Sequence, residues 1–162
     1  MIGSEGTGAG ELARTHPTLT EDQTGLANSL HFDLVYHYFF LAGDRGLTFS
    51  VMLVSAGVEE SAPVGQIRTI GKAIESTTRT SDLVSHMGSG RYVVLLVGTN
   101  LQGARIAADR IELALANLAP GAISFGLAAY ADELKGDPQA LLRSADTALL
   151  AAEAMGGGVE FA

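Results

Sequence analysis

Two β-rich runs, Asp82-Leu-Val-Ser-His86 and Arg91-Tyr-Val-Val-Leu-Leu-Val97, lie on either side of Gly88-Ser89-Gly90, and no other feature of the chain restricts its folding as much. Runs separated by so short a glycine-containing link read as an antiparallel hairpin. The two glycines allow positive φ in the turn and close approach of backbone to a ligand. A sheet containing this hairpin must then be completed and covered by the rest of the chain.

The flanking segments supply the other layers. Leu26, Leu30, Leu34, Tyr38 and Leu41 keep to one helical face, with Gly43-Asp44-Arg45-Gly46 as stop and turn, so the spacing predicts a first helix from Thr24 with that face inward. Leu47 to Val54 suits a buried central strand, and Ile67, Ile70 and Ile74 mark a second helix starting near Pro63. Thr99-Asn-Leu-Gln102 has capping-box spacing before a third helix, whose Leu101, Ala104, Ala108, Ile111, Leu115 and Leu118 share an arc that leaves Arg110 outside. Ile123 to Tyr130 reads as a strand. Asp137-Pro138 opens a last helix with Leu141, Ala145, Leu149 and Ala152 inward, and Gly156 to Gly158 ends it before a short terminal strand.

The order strand, helix, strand, strand, helix, strand is the split βαβ pattern, and predicts an α+β fold with an antiparallel central sheet flanked by helices, ferredoxin-like in its core. Residues 1–20, rich in Gly, Ser, Thr and Glu with no apolar period, read as a flexible lead-in, and residues 21–162 as one domain. A length of 162 residues suits one compact core. No apolar run of about 18 residues and no basic, hydrophobic leader appears, which leads to the expectation of a cytoplasmic protein without a membrane span. Cysteine is absent, which excludes disulfides, thiolate metal sites and cysteine nucleophiles. A formal charge of -8 argues against general nucleic-acid binding, so a phosphate ligand would need a few placed arginines.

Four motifs in order resemble the GGDEF family, the diguanylate cyclases that join two GTP molecules into cyclic di-GMP. Thr24-Gly25-Leu26-Ala27-Asn28 with Phe32 is similar to the family's opening "LTGLPNR…F". Arg79 to Leu96 resembles its RxxD, signature turn and following strand; Ser124-Phe125-Gly126-Leu127-Ala128 resembles "SiGva"; and Leu141 to Leu150 resembles "LL..AD.ALY". The resemblance covers the chain from about Glu21 onward and implies the same antiparallel sheet backed by helices.

What the resemblance implies about catalysis is negative. The family holds divalent metal with acidic side chains at a strand end and in the signature turn, to offset phosphate charge and activate a hydroxyl. The strand end here is Ser55-Ala56-Gly57-Val58-Glu59-Glu60, with Ser55 and Gly57 where the aspartates would stand. The signature is Gly88-Ser89-Gly90-Arg91-Tyr92, which places Gly90 and a cationic Arg91 at its acidic positions. The Asn-Asp pair that reads guanine falls in a stretch missing from this chain, and the late phosphate-binding lysine is Glu153. The expectation is therefore a degenerate domain with no cyclase activity, no catalytic residues, no metal and no cofactor.

The family's product-inhibition site is an Arg-x-x-Asp ending five residues before the signature, and Arg79 and Asp82 stand there without a gap. The resemblance adds an arginine on the helix after the signature, which an ungapped count places at Arg110. A guanidinium fork offers paired donors to guanine O6 and N7 or to phosphate, and a carboxylate accepts from guanine N1 and N2. The bland alternative is that Arg79 and Asp82 only solvate the approach to the strand. A second Arg-x-x-Asp, Arg143 to Asp146, reads as a helix-surface ion pair, and Arg91 as a solvated residue at the hairpin start. His31 and His37 are six apart on one helix, His16 lies in the lead-in, and His86 stands where the family often has arginine; no catalytic or metal spacing emerges. Core packing is the default for Tyr36-His-Tyr-Phe-Phe40, with part of it facing outward.

The expected function is a non-catalytic cyclic di-GMP receptor using Arg79, Asp82 and Arg110 and acting on self-association, as a ligand-bridged homodimer, or on a protein effector. The alternative from another class is a nucleotide-free interaction module on the same scaffold.

Overall fold

The computed structural model describes residues 16–162. Its elements are α1 (Ser29–Gly43), β1 (Phe49–Ser55), α2 (Val64–Thr77), β2 (Leu83–Gly88), β3 (Arg91–Val97), α3 (Leu101–Leu115), β4 (Ser124–Ala129), a single 3₁₀ turn (Asp132–Leu134), α4 (Pro138–Ala154) and β5 (Gly158–Phe161). They form the expected α+β fold, a five-stranded sheet in the order β2-β3-β1-β4-β5 flanked by helices. Pairings β1–β3, β1–β4 and β2–β3 are antiparallel, and the edge pair β4–β5 is parallel.

Helices cover both faces of this sheet, which is why β1 and β3 are apolar almost throughout instead of alternating. On one face Met52, Val54, Tyr92, Val94 and Leu96 pack with Ile67, Ile70 and Ile74 of α2 and with Ala104, Ala108, Ile111 and Leu115 of α3. On the other, Phe49, Val51, Leu53, Val93 and Leu95 meet Phe32, Tyr36 and Phe40 of α1 and Leu141, Ala145 and Leu149 of α4. Each fully buried large apolar side chain contributes about 1.5–3 kcal/mol.

Three expectations are corrected. The first helix starts at Ser29, not Thr24, with Asn28 as its cap accepting from the His31 backbone N–H at 2.9 Å. Its inward face is Phe32, Tyr36 and Phe40, while Leu30, Leu34, Tyr38 and Leu41 are 48%, 58%, 75% and 53% exposed. The aromatic stripe wins because it fits a ring cluster: Phe32 stacks on Tyr36 at 5.5 Å, Phe40 meets Tyr130 edge-on at 5.2 Å, and Tyr130 stacks on Phe49 at 5.4 Å. α3 is capped by Asn100, which accepts from Gly103 N at 2.9 Å, and not by Thr99; it ends at Leu115, leaving Leu118 outside. Arg143 pairs with Asp137 at 3.2 Å and not with Asp146, because Asp137, the cap of α4, lies nearer its guanidinium.

The hydrogen bonds of the domain reach back to Thr18. Asn28 Nδ2 donates to the Thr18 carbonyl at 2.7 Å, Asn28 N donates to Leu19 O at 3.0 Å, and Thr20 bridges Ala27. The remainder of the predicted lead-in, residues 1–15, lies outside the described residues.

Gly126 explains why a glycine follows Phe125 in β4. A Cβ there would stand 2.3 Å from both the Ala145 carbonyl oxygen and the Leu149 nitrogen, so α4 lies directly on the strand backbone. Gly126→Ala is therefore expected to lose about 1–3 kcal/mol through overpacking. Gly65→Ala, in the first turn of α2 with nothing within 4 Å, is expected to gain about 0.5–1 kcal/mol. Urea denaturation of both variants checks the pair, and equal midpoints would refute the close packing of α4 on β4.

Candidate functional site

Asp82 sits at the mouth of β2, buried to 4% exposure. Its Oδ1 accepts from the Val97 backbone N–H at 3.1 Å and its Oδ2 from the Arg79 backbone N–H at 3.0 Å. One carboxylate thus joins the turn before β2 to the end of β3. The Arg79 guanidinium lies across the same junction: Nη2 donates to Val97 O at 2.8 Å and Thr99 Oγ1 at 2.6 Å, and Nε is 3.6 Å from Asp82 Oδ2. The arginine side chain is nevertheless 62% exposed.

These residues line a cleft of about 530 Å³, which Arg110 of α3 also lines. All three residues singled out in the sequence therefore line one cavity, although Arg110 lies on a separate helix. Arg110 is exposed and makes no ion pair or hydrogen bond among the described residues. Leu96, Ile106, Ala107 and Ile111 supply apolar surface to the cleft, and Asn100 and Gly103 bring the N-terminal turn of α3 to it. A cleft of this volume with apolar surface, two guanidinium groups and a helix N-terminus is chemically suited to a flat, anionic ligand.

The other end of the hairpin is closed. Gly88, Ser89 and Gly90 all have positive φ, at 102°, 53° and 72°. The segment after β1 folds onto the turn, with Ala56 N donating to Gly90 O at 3.0 Å. A Cβ on Gly90 would lie 2.0 Å from Val58 Cγ2, and one on Gly57 would lie 2.3 Å from the Ala122 carbonyl oxygen. The residues here do not fit the divalent metal that the fold family implies: Ser55, Gly57, Gly90 and Arg91 offer no carboxylate, and Val58 occupies the space beside Gly90. No group of three or more His, Asp or Glu able to hold a metal occurs among the described residues.

Arg91 was read from the sequence as a solvated residue, but it is half-buried and paired. Its Nη2 donates to both carboxylate oxygens of Glu153, at 2.8 and 2.9 Å. The cationic Arg91 and the acidic Glu153 thus neutralise one another beside the Gly88–Gly90 turn. Periodicity could not reveal this pair, since 62 residues separate its members. The sequence also missed Glu21, whose carboxylate contacts His86 Nδ1 at 3.1 Å, with the imidazole packed 5.0 Å from the Tyr92 ring. Burial, and secondarily the Glu21 charge, push the Tyr92 hydroxyl up from its ordinary pKa, and it donates to Ile67 O at 2.7 Å.

Reversing either charge alone, Arg91→Glu or Glu153→Arg, is expected to destabilise the domain by about 1 kcal/mol or less for so exposed a pair. The double exchange should recover most of that loss. Thermal denaturation of the four proteins at low salt measures the coupling, and strict additivity would show that the pair contributes nothing.

Residues 65–158 match the family model described as diguanylate cyclase, GGDEF domain. No curated protein matches the sequence. Among solved structures, the chain is similar to the diguanylate cyclase SiaD of Pseudomonas aeruginosa, in complex with its activator SiaC, at 22% identity and a TM-score of 0.76, covering 90% of this chain and 62% of that one. It is also similar to the GGDEF domain of YfiN (TpbB) from Pseudomonas aeruginosa, at 23% identity and 0.73, covering 88% and 94%. The coiled coil and GGDEF domain of DgcB from Caulobacter crescentus, in complex with c-di-GMP, aligns at 18% identity and 0.76, covering 90% and 86%. These structural likenesses establish the shared fold, and with more than half of the chain matched by the family model, this protein belongs to the GGDEF domain family.

Proposed function

We propose that this chain is a degenerate GGDEF domain that binds cyclic di-GMP without making it, through Arg79, Asp82 and Arg110. The observation that carries this reading is the convergence of all three residues on one open cleft beside the N-terminus of α3. Arg110 has its guanidinium available, and Arg79 keeps most of its side chain in solvent while anchored at one nitrogen. Asp82 holds the turn that presents Arg79, with both carboxylate oxygens accepting backbone N–H groups. The c-di-GMP complex of the DgcB GGDEF domain lends the ligand plausible chemistry on this fold. Binding would act on self-association or on a protein effector, and a ligand changes such an equilibrium only as far as it prefers one state.

Absence of catalysis is supported at the opposite end of the hairpin, by Val58 against Gly90 and by the Arg91–Glu153 pair. The competing reading, an interaction module without nucleotide, draws support from the bonds Arg79 already makes to Val97 and Thr99, which a ligand would have to complement or replace.

Calorimetric titration with cyclic di-GMP separates the two. The receptor reading expects saturable binding near micromolar, roughly -8 kcal/mol. Arg110→Ala should weaken it by about 1–3 kcal/mol with no change in melting temperature, because Arg110 makes no hydrogen bond or ion pair among the described residues. Asp82→Ala should lose both binding and about 1–3 kcal/mol of stability, because two backbone donors lose their acceptor. No heat at tens of micromolar would favour the interaction module. Incubation with GTP and magnesium or manganese should yield no dinucleotide, and detectable product would overturn the non-catalytic assignment.

A further inference from the structure

What the cleft offers a ligand is one-sided. Arg79 and Arg110 supply guanidinium donors, and Arg110, which is exposed, makes no hydrogen bond or ion pair among the described residues. Acceptors are scarcer. Among the described residues that line the cleft, Asp82 carries the only carboxylate, and its side chain is 3% exposed. Its oxygens are engaged within the protein, Oδ1 by the Val97 N–H at 3.1 Å and Oδ2 by the Arg79 N–H at 3.0 Å, while Arg79 Nε stands 3.6 Å from Oδ2. To reach a ligand, this carboxylate would have to release the turn before β2 from the end of β3 and leave two backbone donors without an acceptor. Thr99 is committed in the same way, its hydroxyl accepting from Arg79 Nη2 at 2.6 Å and donating to Val97 O at 3.0 Å. The Thr77 and Thr78 hydroxyls donate to the Ile74 and Glu75 carbonyls, so the acceptors that remain are neutral oxygens.

We propose that the cleft selects a cyclic purine dinucleotide by the acceptors the ligand carries, its phosphates and the O6–N7 edge of guanine, and that it does not read the guanine 2-amino group. The inference rests on the receptor reading above and narrows it to one edge of the base. Guanine presents O6 and N7 side by side, which a guanidinium fork meets with two parallel donors. Adenine keeps N7 but carries the N6 amino group in place of O6, so that donor faces donor. The N1 and N2 hydrogens of guanine call for an acceptor, best supplied by a carboxylate, and the carboxylate of this cleft is buried in its own backbone bonds. Asp82 is therefore a positioning residue: it fixes the turn that bears Arg79 and does not touch the ligand.

The test varies the ligand and leaves the protein unaltered, so that no variant has to fold. Calorimetric titration of the whole chain compares cyclic di-GMP with cyclic di-IMP, whose hypoxanthine bases lack the 2-amino group but keep O6 and N7, and with cyclic di-AMP. Cyclic di-IMP should bind within about fivefold of cyclic di-GMP, and cyclic di-AMP about 5- to 150-fold more weakly, the range of one lost bidentate contact. Amide hydrogen exchange gives a second readout. The Val97 N–H should exchange no faster in the cyclic di-GMP complex than in the free domain, because Asp82 remains its acceptor. Cyclic di-IMP more than about fivefold weaker, cyclic di-AMP within about fivefold of cyclic di-GMP, or a faster Val97 amide in the complex would overturn this inference and leave the receptor reading standing. No heat from cyclic di-GMP would remove the receptor reading itself, and this inference with it.

Discussion

The candidate cleft depends on the Asp82 carboxylate more than on any other group. Its two oxygens accept backbone N–H groups from the turn before β2 and from the end of β3, two segments that the hairpin leaves unpaired at that end. Burying a carboxylate is costly unless its lone pairs are used, and here they are used to close a junction that no backbone-to-backbone bond closes. Arg79 is placed by the same junction, held at its backbone by Asp82 and at its guanidinium by Val97 and Thr99. Thr99 is fixed in turn by Ser50, whose hydroxyl donates to the Thr99 carbonyl at 2.7 Å from the buried central strand. The cleft wall is therefore an extension of the sheet, and a ligand meeting it would find one arginine already oriented.

The two ends of the β2–β3 hairpin are built differently. At the cleft end, side-chain polar groups from several elements face an open cavity. At the turn end, Val58 occupies the space beside Gly90, and the opposed charges of Arg91 and Glu153 satisfy each other. There a single nitrogen of Arg91, Nη2, engages both oxygens of Glu153, so the two charges offset one another beside the turn. Both ends hang on the same apolar strand β3, buried from Tyr92 to Leu96, so the scaffold persists whatever the turn carries.

Much of this was legible in the sequence wherever local pattern and burial coincide. Ile67, Ile70 and Ile74 are fully or almost fully buried on α2, as their spacing required, and the Gly88–Gly90 turn joins the strands it was expected to join. The phase of α1 was not legible, because a helix with one charge has no polar face to subtract, and ring packing against Phe49 and Tyr130 decided it. The site divides in the same way. Arg79, Asp82 and Arg110 were found through motif spacing and do share a cleft, but spacing cannot say that Asp82 turns inward to two backbone donors. The Arg91–Glu153 and His86–Glu21 contacts join distant segments, and no periodicity within either segment encodes a partner.

The sheet also separates the candidate cleft from the outer stripe of α1. The cleft is built from the β2–β3 ends and α3, on one face, whereas the outer stripe of α1 lies beyond the other. The link between them is short: Ser85 Oγ donates to Ala27 O at 2.7 Å and Ala27 N to Val84 O at 3.3 Å, fastening the segment before α1 to β2, whose leading turn carries Arg79 and Asp82. Two sites on a rigid sheet are energetically independent unless a ligand prefers one arrangement of an element they share. β2 is that element here. A displacement of β2 at the cleft would reach the segment before α1 through these bonds; with β2 in place, the two faces of the sheet remain independent.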